Sequence, residues 1–308
     1  MPNFADRLLE AVKNKGNPCI VGLDPRLDII PSFITSKYAR CAAGERIRRS
    51  IEDFHRVVLK IVEPYVCAVK IQIAFFEQYG IPGSHAFANT LKMAKDMGLI
   101  VIADVKRSDI GSTAGAYAEA YLARNPSGLR LSYEADSITV SPYLGRDSLL
   151  PFVEACKKYG KGIFILVKTS NPGSSDFQDK VLAETGAPLY EQVAQMVDGL
   201  GRGLVGRSGY SSIGAVVGAT HPDQVKYIRN KIPRTILLVP GYGAQGASAR
   251  DVAKCFNPDE RGAIVNASRS ITYAHKDLKI TKREYIKLVE RQITYMIEDI
   301  NSALNKPS

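Results

Sequence analysis

Residues 99–106 read Leu-Ile-Val-Ile-Ala-Asp-Val-Lys, an apolar run that turns polar at Asp104 and Lys106. A run this short and β-branched suits a strand buried on both faces of a parallel sheet. The pattern recurs at Cys19–Asp24, Ala68–Ala74, Ser137–Tyr143, Gly162–Ser170, Ala215–Thr220, Thr235–Gly241 and Ala263–Arg269, which makes eight runs with Leu99–Lys106. Helical periodicity fills the intervals. Ile51–Val66 sets Ile51, Phe54, Val57, Val58, Ile61 and Val62 on one face, the mark of a 3.6-residue period. Ala86–Met97, Leu149–Tyr159, Pro188–Leu200, Asp223–Lys231 and Ala247–Cys255 read alike, and Lys282–Leu304 is the last helix. Eight β-then-α units predict an α/β fold, a closed (β/α)8 TIM barrel, with residues 1–308 as a single domain. An extra helix within Met1–Lys15 is expected over the barrel bottom. No Gly-x-Gly-x-x-Gly follows the first run, which argues against an open dinucleotide-binding sheet.

Composition narrows the class. A chain of 308 residues buries roughly 75% of its unfolded surface and needs no disulfide or metal staple. Hydrophobic residues at 45% and charged residues at 23% exclude wholesale disorder. The 5 cysteines (Cys19, Cys41, Cys67, Cys156, Cys255) form no C-x-x-C pair, so a disulfide framework or zinc ribbon has no support. The 4 histidines stand apart, without ligand spacing. No apolar run approaches the ~18 residues of a membrane span. Asp6 and Glu10 interrupt the N-terminal stretch where a signal peptide is apolar, so the expected compartment is the cytoplasm. The net charge of +10 is spread along the chain, with one concentration at Arg40, Arg46, Arg48 and Arg49. Without a basic tract interleaved with aromatics, a small anionic metabolite fits better than nucleic acid.

In such barrels the chemistry sits where strands end. Side chains alternate across a strand, so Asp104 and Lys106 share one side, as do Lys70 and Gln72 on the neighbouring run. Facing inward, they put two lysines and a carboxylate near the barrel axis, and Asp109 just beyond would extend this to an alternating Lys-Asp-Lys-Asp cluster. The plainer reading is an ion pair stapling two strands. Partly buried charges are costly unless paired, so a functional cluster is the stronger reading. A second feature is the turn Pro240–Gly246 (PGYGAQG), whose glycines let backbone N–H groups approach an anion, with Arg269 ending the adjacent run. Loops after strands seven and eight are the usual phosphate seat of these barrels.

The run Ile102–Thr113, with its D-x-K-x-x-D-I-x-x-T pattern, resembles the orotidine 5′-monophosphate decarboxylases. Gly22-Leu23-Asp24-Pro25, Val69–Gln72 with Phe75 and Phe76, Pro142–Gly145, Val167–Pro172, Pro240–Gly243 and Arg269 extend the likeness from about Cys19 to Ile271, in the manner of the longer bacterial branch. Asn266-Ala267-Ser268-Arg269 departs from the more glycine-rich approach to this arginine in other branches. The resemblance implies conversion of orotidine monophosphate to UMP and CO2 without metal or cofactor, Lys106 giving the proton. Asp104 and Asp109 would flank the departing carboxylate, and Lys70 would hold Asp104 and the ribose. It also implies a homodimer with shared active sites, Asp109 and Thr113 serving the partner. Asp24 would bind ribose, Ser170 the pyrimidine edge, and Gln245 with Arg269 the phosphate; Gln72 and Gly243 are counted with the substrate-binding positions. The polar segment Lys168–Asp179 is a candidate moving lid. The rivals are a Mg2+-dependent sugar-phosphate decarboxylase or aldolase on a similar barrel, a Schiff-base aldolase using Lys106 or Lys168, and a barrel that binds nucleic acid or protein.

Overall fold

A computed structural model describes residues 2–123, 133–243 and 246–305. Its eight parallel strands are β1 (Cys19–Leu23), β2 (Ala68–Gln72), β3 (Ile100–Arg107), β4 (Ser137–Val140), β5 (Gly162–Lys168), β6 (Ser211–Val217), β7 (Thr235–Val239) and β8 (Ala263–Ala267). They close into a barrel in chain order, β8 pairing back onto β1. Around it run α1 (Phe4–Lys15), α2 (Ala43–Val62), α3 (Gly80–Asp96), α4 (Gly111–Leu122), α5 (Arg146–Tyr159), α6 (Leu189–Gly201), α7 (Pro222–Lys231), α8 (Ala249–Ala253) and α9 (Lys282–Leu304). The expected TIM barrel is the fold. Among the described residues no helix is long and apolar enough to cross a membrane.

Two details depart from the sequence reading. The sixth strand starts at Ser211, four residues before the expected Ala215. Its first residues are Ser211 and Ser212, whose hydroxyls donate to Gly201 O and Asn3 Oδ1, and Gly214 is small because an aromatic ring fills the barrel there: a Cβ on it would meet the Phe164 ring at 2.4 Å. The third crossover holds α4, GSTAGAYAEAYL, which no apolar stripe announces; it buries Ala114, Ala118, Tyr121 and Leu122, and alanine is a strong helix former without looking like core.

Helix α1 plugs the bottom of the barrel, as expected. Asn3 caps it, its side chain accepting from the Ala5 and Asp6 amides. Phe4, Ala5, Leu8 and Leu9 join the inward Ile20, Ile102, Phe164, Ile236 and Ile264 in one apolar cluster. Phe4 meets Phe164 edge-on at 6.1 Å between centroids, and a Cβ on Gly162 would lie 2.1 Å from its ring. Truncating Phe4 to Ala leaves a ring-sized hole and is expected to lower the unfolding free energy by about 3–5 kcal/mol. Urea titration would read this as a lower midpoint at unchanged slope. An unchanged midpoint would mean that the plug adds nothing. With the bottom sealed, the open end of the barrel is the one carrying the strand C-termini.

Candidate active site

At that open end the inward positions divide by chemistry. Lys70 and Gln72 of β2, Asp104 of β3, Thr139 of β4 and Asn266 of β8 form a polar arc, and Leu166, Val216 and Leu238 of β5, β6 and β7 form an apolar one. Together they floor a cavity of about 640 Å³.

Asp104 is the hub. Pairing of Gln72 with Asp104 across β2 and β3 sets the two side by side. Its Oδ2 accepts from Lys70 Nζ at 2.7 Å and Gln72 Nε2 at 2.9 Å. Its Oδ1 accepts from Lys106 Nζ at 2.5 Å and Thr139 Oγ1 at 2.8 Å. Burial by itself would raise its pKa, but the charges of Lys70 and Lys106 outweigh that and hold the carboxyl well below the usual carboxylate range. Burial likewise opposes the charge on Lys70, and the Asp104 and Asp24 carboxylates outweigh it, leaving its pKa raised. Lys70 and Asp104 are buried, whereas the Lys106 side chain is 46% exposed and faces the cavity. An anchored ion pair thus presents one reachable lysine.

The other candidate residues fall into three groups. Asp24, Ser170 and Arg269 line the same cavity. Asp24 Oδ1 and Asn266 Oδ1 are buried there without a hydrogen-bond partner among the described residues, acceptors ready for hydroxyl or amide donors. Asp109 and Thr113 do not line it: Asp109 accepts from the Ile110 amide at 2.8 Å and Thr113 is exposed on α4. Within one chain the structure thus brings together Lys70, Asp104 and Lys106, while Asp109 follows the end of β3 and stands outside this cavity. Gly243 stands outside the cavity lining, its N–H donating to Ala247 O at 3.0 Å. Gln245 lies outside the described residues.

The segment after β5 roofs the cavity with Ser170, Asn171, Phe177 and Gln178. Its ends are tied. Lys168, fully buried, donates to Asp179 at 2.7 Å, and Gln178 accepts from the Thr169 amide at 2.9 Å. Lys168 does not face the cavity, which removes it as a Schiff-base former. Thr139 and the apolar arc escaped the sequence reading, since as lone residues inside strand runs they look like ordinary barrel filling, and Asn266 is named there within the approach to Arg269 without a role in the site.

Residues 18–283 match the family model described as orotidine 5'-phosphate decarboxylase / HUMPS family. The chain belongs to this family. It is 45% identical over 280 residues to the orotidine 5'-phosphate decarboxylase of Rhodopirellula baltica, covering 90% of each chain. The enzyme of that name from Caldicellulosiruptor saccharolyticus is 42% identical over 281 residues, 90% of this chain and 92% of that one. The solved OMP decarboxylase of Leishmania donovani superposes with a TM-score of 0.74 at 28% identity, over 99% of this chain and 100% of that one. The family's members thus share the whole barrel with this chain, open end included.

Proposed function

We propose that the protein decarboxylates orotidine 5'-monophosphate to UMP and CO2, the last step of pyrimidine nucleotide synthesis. The observation that carries this reading is the anchored Lys70–Asp104–Lys106 chain with Lys106 reaching into the cavity. The bond from C6 to the carboxylate breaks, CO2 leaves, and the electron pair stays on C6 with no neighbouring sink. Lys106 beside C6 stabilises that pair and then protonates it, yielding UMP; solvent reprotonates the lysine. Charge fixed in advance where charge develops is a large catalytic term. Asp104, unable to turn away because four donors hold it, repels the substrate carboxylate until CO2 departs. The apolar arc of Leu166, Val216 and Leu238 suits the uncharged product CO2. Run in D2O, the reaction should place one deuterium at C6 of UMP for each CO2 released. UMP without C6 deuterium would refute protonation of a C6 carbanion.

Asp24, with its free Oδ1, would take a ribose hydroxyl, Ser170 the pyrimidine edge, and Arg269 with Gln245 the phosphate. Phosphate binding far from the reacting carbon helps orient the ring. Arg269→Ala is expected to lower kcat/KM about 100-fold, chiefly by raising KM. A change under about 3-fold in steady-state assays would take Arg269 out of the phosphate site. The metal-dependent sugar-phosphate reading is disfavoured by the donor set: Lys70 and Gln72 occupy the inward end of β2 where a further carboxylate would be needed. Among the described residues no three His, Cys, Asp or Glu side chains converge.

The same reading makes the protein a cytoplasmic homodimer, one catalytic domain per chain, with Asp109 and Thr113 completing the partner's site. Ile110 at 57% and Tyr143 at 79% exposure, on the neighbouring loops after β3 and β4, support a subunit contact at that edge.

A further inference from the structure

Asp104 and Lys106 are neighbours on β3, yet strand geometry alone does not aim them. The pairing of Ala103 with Ile138 is followed by that of Arg107 with Val140, so β3 advances four residues while β4 advances two. Within that irregularity Lys106 has φ +46°, a left-handed conformation that a residue with a Cβ keeps only where its surroundings enforce it. Thr139 is the group placed to enforce it. Its Oγ1 accepts from the Lys106 N–H at 2.9 Å and donates to Asp104 Oδ1 at 2.8 Å. Lys106 Nζ donates to the same Oδ1 at 2.5 Å, which closes a ring of three hydrogen bonds.

The directions in this ring are fixed. A backbone N–H can only donate, so Oγ1 accepts from Lys106, and the single hydroxyl proton is left for Asp104. Thr139 is 1% exposed, and a β-branched side chain in a strand has few rotamers. The hydroxyl thus joins the lysine's backbone to the carboxylate that its own side chain grips.

We propose that Thr139 is a positioning residue for the reaction, locking the left-handed turn at Lys106 so that its ammonium is aimed at the reacting carbon. This inference rests on the decarboxylase reading and adds to it a residue that acts through Lys106 and Asp104. Nearly isosteric Thr139→Val removes the hydroxyl and leaves the Lys106 N–H and one Asp104 acceptor site unpaired. Thr139→Ser keeps the hydroxyl.

The test compares wild type, Thr139→Val and Thr139→Ser, each checked for a cooperative melt. With orotidine monophosphate, Thr139→Val should lose about 10- to 100-fold in kcat with KM within about 3-fold, and Thr139→Ser should stay within about 3-fold of wild type in both. Amide hydrogen exchange of residues 103–107, which needs no substrate, should be slow in wild type and Thr139→Ser and at least about 10-fold faster in Thr139→Val. A Thr139→Val enzyme with wild-type kcat, or a Thr139→Ser enzyme as impaired as Thr139→Val, overturns the proposal. If wild type leaves orotidine monophosphate untouched, the decarboxylase reading fails, and the exchange data still decide whether Thr139 holds Lys106. Equal exchange in Thr139→Val and wild type overturns that hold.

Discussion

Lys106→Ala is expected to lower kcat on orotidine monophosphate by at least about 10⁴-fold, because one side chain supplies both the stabilising charge and the proton. The loss should lie in chemistry rather than folding. Asp104 keeps three donors, Lys70, Gln72 and Thr139, so the buried carboxylate remains paired. Residue 106 already sits at positive φ, and alanine is no more strained there than lysine. Affinity for UMP, read by calorimetry, should therefore change little while turnover vanishes. A variant that keeps even a tenth of the wild-type rate would remove Lys106 from the chemical step.

Mixing two inactive proteins should restore activity from almost nothing to about a quarter of the wild-type level. Lys106→Ala lacks the proton donor, and Asp109→Ala lacks the carboxylate proposed to cross to the partner. Random subunit exchange makes half the dimers mixed, and each mixed dimer has one site with both groups, hence about a quarter of all sites. The motivation is where Asp109 stands: outside its own cavity, beside the exposed Ile110. Were Asp109 to act within its own chain, no mixed dimer would hold a complete site. Exchange demonstrated by mass-tagged subunits without recovery of activity would end the shared-site proposal.

How far the sequence reveals this molecule depends on what each residue must pack against. The strands are legible because both faces are buried, which forces short runs such as LIVIA ahead of Asp104. Helix α4 is not, because it packs with alanine and leaves no apolar stripe. The start of β6 is hidden by Ser211 and Ser212, whose hydroxyls bond Gly201 O and Asn3 Oδ1, and by Gly214, small because the Phe164 ring occupies the barrel beside it. In the site, two-residue alternation finds Lys70, Gln72, Asp104 and Lys106. It says nothing of Asp109, which follows the end of β3 at Arg107, where strand alternation no longer applies. Thr139 is invisible for another reason. A threonine in a strand run is ordinary β composition, and only pairing with the irregular stretch of β3 brings its hydroxyl between an amide and a carboxylate.

The most direct test of the central claim is the ultraviolet loss of orotidine monophosphate with purified protein in excess EDTA. Undiminished turnover, with UMP and CO2 appearing in equal amounts, is the predicted result. A correctly folded protein that leaves the substrate intact, or consumes it only after Mg2+ is restored, would contradict a metal-free decarboxylation centred on the Lys70–Asp104–Lys106 chain.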